Sequence, residues 1–434
     1  MKRLILTSAV LLAFLTGASA DNNPFHDSCQ WTVVPNHADW LYKTGEKASL
    51  KLTLLKYGMP AEGKVVYTVS DDMLEPEVTD SLILKNGSAT IDVGTGRKPG
   101  FREIRLYHKD GENTSQYCLK LGFDVPSIAP LTKEPKDFGE FWKKAVDEAE
   151  ATPLSYTSER MEDFSTGKTD CFKVKLKTIG SHHVYGYLYK PKGAAAGSCP
   201  VMTIPPGAGI KTILPHNDDD TAIKGCINFQ FEIHGIDPEL SPETYQDIRS
   251  AMASRPCSYY RLDLNDKDNY YMRHVYQALV KVIDLLTAQP EWDGRNVIAY
   301  GGSQGGALSL ISTCIDSRVT QCISFYPAMV EMIGYSVKGA TGGYPHFNRD
   351  ISLYTPKALE TLPYYDVISF ARHIKVPVFL SFGYCDPVCP PTTSYMVWNT
   401  LNCPKELFTM PYSEHWSNAA GRTAALDFIG SHLL

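Results

Sequence analysis

The sequence predicts two domains of different class: an all-β, immunoglobulin-like sandwich, then an α/β domain built on a mostly parallel sheet. Three observations carry that prediction. A chain of 434 residues is too long for one ordinary core. Residues 31 to 125 alternate apolar and polar side chains in short runs broken by turn signals. Beyond residue 137, strand-like apolar runs alternate with helical ones, the pattern of a parallel sheet covered on both faces.

Residues 1–20 stand outside that scheme. Lys2 and Arg3 precede an apolar segment from Leu4 to Leu15, and Ala18-Ser19-Ala20 forms a small-residue cleavage site. This is the pattern of a secretory signal peptide, too short to span a bilayer. It predicts an exported chain, periplasmic or extracellular, that starts at Asp21. No cysteine follows the cleavage site, so a lipid anchor is not expected, and no later segment has the length and apolarity of a transmembrane helix.

Residues 21–125 carry the sandwich. KASLKLTLL, KVVYTVS, SLILK, SATIDVG, EIRLYH and YCLKLGFDV each read as a strand, and Asn86-Gly87 between the third and fourth is a strong hairpin signal. Residues 126–136 are proline-rich and read as a linker. Residues 137–434 carry the α/β domain. Asp137 can cap a helix through FGEFWKKAVDEAE. RHVYQALVKVIDLLTAQ places Val275, Leu279, Val282, Ile283 and Leu286 on one helical face. PVMTIP, VIAYGG, CISFYP and VPVFLSFG are the strand-like runs.

Composition narrows the function. Apolar residues make up 43% and charged residues 21%, as in a soluble globular protein. Without Lys2 and Arg3, 40 basic residues face 48 acidic ones, a balance that excludes nucleic acid as a partner and suits a neutral substrate. The 11 cysteines permit disulfides in an exported protein, but their pairing is not deducible. Cys385 and Cys389 form one pair without a second, and His182-His183 has no obvious partners, so neither a metal nor another cofactor is expected.

The chemistry centres on AYGGSQGGALSL. Ser303 lies between Gly301-Gly302 and Gly305-Gly306, after the strand VIAYGG and before a helix-prone run. Strand, sharp glycine turn and helix make a nucleophile elbow, in which the serine is strained and its hydroxyl projects at the sheet's C-terminal edge. A serine needs a base and a group to orient that base. Asp386 follows the strand VPVFLSFG, and His415 follows the strand-like ELFTMP, which completes the order serine, acid, histidine. The only other histidine after Asp386 is His432, in the terminal helix, where a structural role is expected. Two backbone N–H groups would form the oxyanion hole: that of Gln304, and that of Ala208 in the Pro206-Gly207-Ala208-Gly209 loop.

GGSQGGAL, the YYMRHVYQALVKVIDLLTAQPEWDGRNVIAY stretch, the CDPVCPP turn and PKDFGEFWKKAVDEA together resemble the acetyl xylan esterase and cephalosporin C deacetylase family, carbohydrate esterase family seven, over residues 131 to 434. The resemblance implies an α/β-hydrolase fold and a metal-free serine esterase that removes acetyl groups from sugars, with Ser303, Asp386 and His415 as its triad. It also implies a homo-oligomer. The chain departs from the family in three places. Ala208 replaces the tyrosine of a His-Gly-Tyr stretch, His234 stands where an arginine is usual and reads as structural, and Glu414-His415-Trp416 replaces His-Glu. Three rivals remain open: an esterase for feruloyl or glucuronoyl groups, a prolyl-oligopeptidase-like peptidase, and a glycan-binding protein with a degenerate hydrolase domain.

Overall fold

A computed structural model describes residues 29–111, 113–216, 225–253 and 258–434. The signal-peptide segment lies outside the described residues. The front region contains β1 (Cys29–Pro35), β2 (Leu41–Tyr42), β3 (Lys47–Lys56), β4 (Met59–Pro60), β5 (Lys64–Asp71), β6 (Val78–Ile83), β7 (Ser88–Thr95), β8 (Gly100–Asp110) and β9 (Asn113–Phe123). One sheet is four-stranded, with β3 pairing β1, β4 and β7; the other is five-stranded in the order β2-β9-β8-β5-β6. Strand β3 shows why these segments fold so: Ala48, Leu50, Leu52 and Leu54 are buried while the residues between them face outward. Trp31 ties the sheets together, stacking on Tyr117 at 6.4 Å and donating from Nε1 to Ser115 Oγ at 2.7 Å.

The Asn86-Gly87 turn forms, with left-handed φ values of 50° and 71° and reciprocal backbone bonds between Lys85 and Ser88. Its arms then separate, so the expected hairpin is a corner between sheets. Leu84 N–H donates to Gly63 O beside β5, whereas Gly87 O accepts from Leu54 N–H on β3. Each arm completes a different sheet. The 126–136 stretch, expected as a linker, is strapped to the following region. Asn399 Nδ2 donates to the carbonyls of Val125 and Ile128, both at 2.8 Å, and Leu131 N–H donates to Glu331 at 3.0 Å.

The second region adds β10 (Tyr156–Arg160), β11 (Thr169–Lys177), β12 (His183–Pro191), β13 (Cys199–Ile204), β14 (Ile227–Phe231), β15 (Trp292–Gly302), β16 (Gln321–Phe325), β17 (Val378–Gly383) and β18 (Lys405–Met410). They form a nine-stranded sheet, order β10-β11-β12-β14-β13-β15-β16-β17-β18, parallel from β14 to β18 and antiparallel from β10 to β14. Its helices are α1 (Phe138–Glu150), α2 (Pro242–Ala253), α3 (Met272–Thr287), α4 (Gln304–Ile315), α5 (Pro356–Tyr365), α6 (Val367–Ala371), α7 (Pro391–Thr400) and α8 (Ala419–Ser431). The apolar face expected for α3 is buried along its length. Asp137 occupies the N-cap position of α1 but its side chain does not cap; it pairs with Lys267 Nζ at 2.9 Å and accepts from the Tyr364 hydroxyl. Among the described residues no helix is long and apolar enough to cross a membrane.

Candidate active site

Strands β15, β17 and β18 each end at the same edge of the sheet, and each delivers one element of the site. Ser303 connects β15 to α4 with φ 59° and ψ −126°, a strained conformation for a side-chain-bearing residue. Neighbouring bonds hold the turn: Ser303 N–H donates to Phe325 O, and Ser303 O accepts from Ala307 N–H and Ala328 N–H, all at 3.0 Å. The flanking glycines are needed for space. A Cβ on Gly301 would lie 2.5 Å from the Gly305 carbonyl, and one on Gly305 would lie 2.4 Å from Pro205 O. Either would separate the elbow from its neighbours.

Asp386, in the turn after β17, is fully buried. Its Oδ1 accepts from Val388 N–H at 2.7 Å and Cys389 N–H at 2.8 Å, and its Oδ2 bonds His415 Nδ1 at 2.8 Å. His415 lies in the loop after β18. That loop passes against Gly383, where a Cβ would meet Ser413 O at 2.1 Å and Glu414 O at 2.6 Å. Glycine at the end of β17 therefore lets the histidine loop close over the acid turn. The Tyr326 ring lies 4.6 Å from the His415 ring and also backs Gly302, so it fills the space between the histidine loop and the elbow.

The structure thus brings His415 and Asp386 into direct contact and packs both beside the elbow. The Ser303 side chain lies close enough to Cys389 on the acid turn to act on its thiol. Burial pushes the Cys389 thiol well above its ordinary value, so it stays protonated. No disulfide joins any two of the described cysteines.

Gln304 opens α4, so its N–H has no acceptor within the helix. Its side chain is a hub: Oε1 accepts from the Tyr259 hydroxyl at 2.9 Å and from the Tyr260 hydroxyl, and Nε2 donates to Pro206 O at 3.3 Å. Ala208 lies in the same loop, where Gly209 N–H donates to the Tyr259 hydroxyl at 3.1 Å. His234 supports this cluster from behind, with Nδ1 bonded to Tyr271 Oη at 2.7 Å and its ring against Tyr259. Burial pushes His234 down to about 4, so it is neutral, in keeping with a structural role. His432 folds back on the last turn of α8, its Nδ1 2.9 Å from Phe428 O, and Trp416 is largely exposed.

Sequence reasoning missed Tyr259, Tyr260, Tyr326 and the role of Cys389. The aromatic pair in CSYYRLD forms a single 3-10 turn and Tyr326 lies just beyond β16, and pattern alone does not show that they gather beside Gln304 and His415. The spacing of Cys389 from Asp386 was visible, but not its contact with the elbow.

A mostly parallel sheet with a strained serine between strand and helix, and an aspartate and a histidine beyond later strands, defines the α/β-hydrolase class. Comparison with known proteins narrows this. The acetyl xylan esterase (AXE1) family profile matches residues 124–429. Acetyl esterase Axe7A from Xylanibacter ruminicola is 46% identical over 420 residues, covering 96% of this chain and 94% of that one. Acetyl xylan esterases from Paenibacillus sp. R4 and Thermoanaerobacterium sp. JW/SL YS485 share the fold, with TM-scores of 0.61 and 0.59 at 22% and 21% identity. Each comparison covers 71% of this chain and 98% of that structure. The chain belongs to the acetyl xylan esterase family and is a carboxylic ester hydrolase.

Proposed function

We propose that the protein hydrolyses O-acetyl esters of xylan-type carbohydrates, with Ser303 as nucleophile, His415 as base and Asp386 as the acid that orients it. The observation that carries this reading is the 2.8 Å bond from His415 to buried Asp386. It commits Nδ1–H to the carboxylate and leaves Nε2 as the nitrogen that serves the nucleophile. The Ser303–His415 hydrogen bond tightens when substrate binds, as catalytic hydrogen bonds often do only in the complex.

Ser303 Oγ then attacks the acetyl carbonyl carbon as His415 Nε2 takes its proton. The tetrahedral oxyanion receives the N–H groups of Gln304 and Ala208, each worth roughly 3 kcal/mol of barrier. Collapse expels the sugar hydroxyl, which leaves with the proton from His415 and leaves acetyl on Ser303. Water, deprotonated by His415, attacks the acetyl carbon; acetate departs and Ser303 regains its proton.

Export fits the N-terminal pattern of Lys2, Arg3 and the Leu4–Leu15 segment, and N-terminal sequencing of secreted protein is expected to begin at Asp21. The activity is tested by measuring acetate release from acetylated xylan and xylo-oligosaccharides, beside p-nitrophenyl esters of increasing chain length, with Ser303→Ala as control. Release from acetylated sugars that is lost in the variant supports the reading. Preference for long acyl groups, or an active Ser303→Ala protein, overturns it.

A further inference from the structure

Lys120 breaks the pattern of its own strand. Along β9 the residues Leu119 to Phe123 are buried without alternation, because the outward face of the sandwich sheet is covered by the α/β domain there. The Lys120 side chain is fully buried in that interface. Its Nζ lies 2.7 Å from Asp72 Oδ1, 3.3 Å from Glu103 Oε2 and 2.8 Å from the backbone carbonyl oxygen of Asp386. The sandwich therefore donates a charged hydrogen bond to the residue whose carboxylate holds His415.

The same cluster grips the far end of the acid turn. Asp72 Oδ2 accepts from Thr392 Oγ1 at 2.7 Å and from Thr392 N–H at 3.2 Å, in the first turn of α7. Phe101 on β8 packs on Tyr384 and Tyr395, with ring centroids 5.0 Å and 5.7 Å away. The segment from Asp386 to Thr392 is thus fixed by the sandwich at both ends, and Cys389 in its middle lies beside Ser303.

Burying one cation and two carboxylates is a costly way to join two domains, since apolar side chains of similar size usually do so as well or better. The direction of the Lys120 bond supplies a reason. A donor on the Asp386 carbonyl fixes that peptide plane, and with it the direction in which the carboxylate leaves the backbone toward His415. Misplacement of a catalytic group by about 1 Å can cost ~100-fold in rate.

We propose that the N-terminal sandwich is part of the catalytic apparatus, with Lys120, held by Asp72 and Glu103, acting as a positioning residue for the Asp386 turn. This rests on the reading of Asp386 as the triad acid. The test compares full-length variants on an acetyl ester. Lys120→Met alone strands buried Asp72 and leaves Glu103 with Arg105 only, so the decisive variant is Lys120→Met/Asp72→Asn/Glu103→Gln, in which the new amide can still accept from the partly exposed Arg105. It is expected to fold, to lose about tenfold or more in kcat, and to keep KM within twofold. Val65→Ala, which weakens the sandwich core at the end of β5 opposite Asp72, is expected to lower the melting temperature and leave kcat unchanged. A folded triple variant with wild-type kcat overturns the proposal, as does a triple variant that cannot fold, because the cluster would then serve stability. An equal kcat loss in Val65→Ala also overturns it. Asp386→Asn separates the two claims: if that protein keeps full activity the triad reading fails, whereas an inactive Asp386→Asn beside a fully active triple variant removes the positioning role alone.

Discussion

The Tyr259 hydroxyl donates to Gln304 Oε1 at 2.9 Å and accepts from Gly209 N–H at 3.1 Å. One phenol thereby couples the residue after Ser303 to the loop that carries Ala208. Since the two proposed oxyanion donors belong to these two segments, their spacing depends on that hydroxyl. Tyr259→Phe is expected to lower kcat about tenfold, or ~1.4 kcal/mol, with a smaller effect on KM. Tyr260→Phe removes a bond to Gln304 that does not reach the Ala208 loop and is expected to cost about threefold. Steady-state kinetics that rank the two in the opposite order would contradict this coupling.

Asp386→Asn isolates the role of the carboxylate. The amide oxygen can still accept from Val388 and Cys389, so the turn is expected to survive and the melting temperature to change by only a few degrees. The amide cannot select the same imidazole tautomer, and kcat is expected to fall by about 10⁴. Kinetics and thermal unfolding on one preparation check both parts.

Gly383 is a steric prediction. A methyl at that position would sit 2.1 Å from Ser413 O, and backbone cannot yield as a flexible side chain does. Gly383→Ala is expected to cost about 3 kcal/mol and to displace the His415 loop, so activity falls with stability. Gly139, in α1, has open space around it, and Gly139→Ala is expected to leave activity unchanged and to raise stability by up to ~1 kcal/mol. Denaturant melts of the two proteins test the contrast.

Glu331 and Asp366 predict a pH dependence of stability. Glu331 accepts from Leu131 and Thr132, and Asp366 accepts from Met332 and Ile368. Burial, with Asp366 adding to it, pushes the Glu331 carboxyl up to about 8, and burial raises Asp366 as well. A carboxyl raised on folding favours the native state most when protonated. That contribution is lost as pH climbs from the unfolded value, ~4.3 for glutamate, through the raised one. The wild-type melting temperature is therefore expected to fall between pH 5 and pH 8, and Glu331→Gln to flatten the fall. An equally steep decline in the variant would show that the pair does not titrate in this way.

Much of the site was legible because it depends on local rules. Ser303 is marked by glycines whose spacing the elbow requires, and Asp386 and His415 each follow an apolar run that reads as a strand. The parallel strands β13, β15, β16 and β17 were visible as apolar runs for the same reason. The antiparallel edge was not singled out: every residue of β10 is exposed, and β12 sets three tyrosines and a glycine among its nine residues. Asn86-Gly87 correctly marked a tight turn but could not say that its arms join different sheets. Lys120 is the clearest limit. In sequence it is one more lysine on an amphipathic strand, and only the packing of the front sheet on the turn after β17 buries it there.

The central claim is that Ser303 is the nucleophile activated by His415. Its most direct measurement is peptide mapping by mass spectrometry after reaction with a serine-directed phosphonate, on wild-type protein and on His415→Ala. A single adduct on the peptide containing Ser303, formed much more slowly in the variant, is the expected result. An adduct on another residue, or labelling of Ser303 at an equal rate without His415, would contradict it.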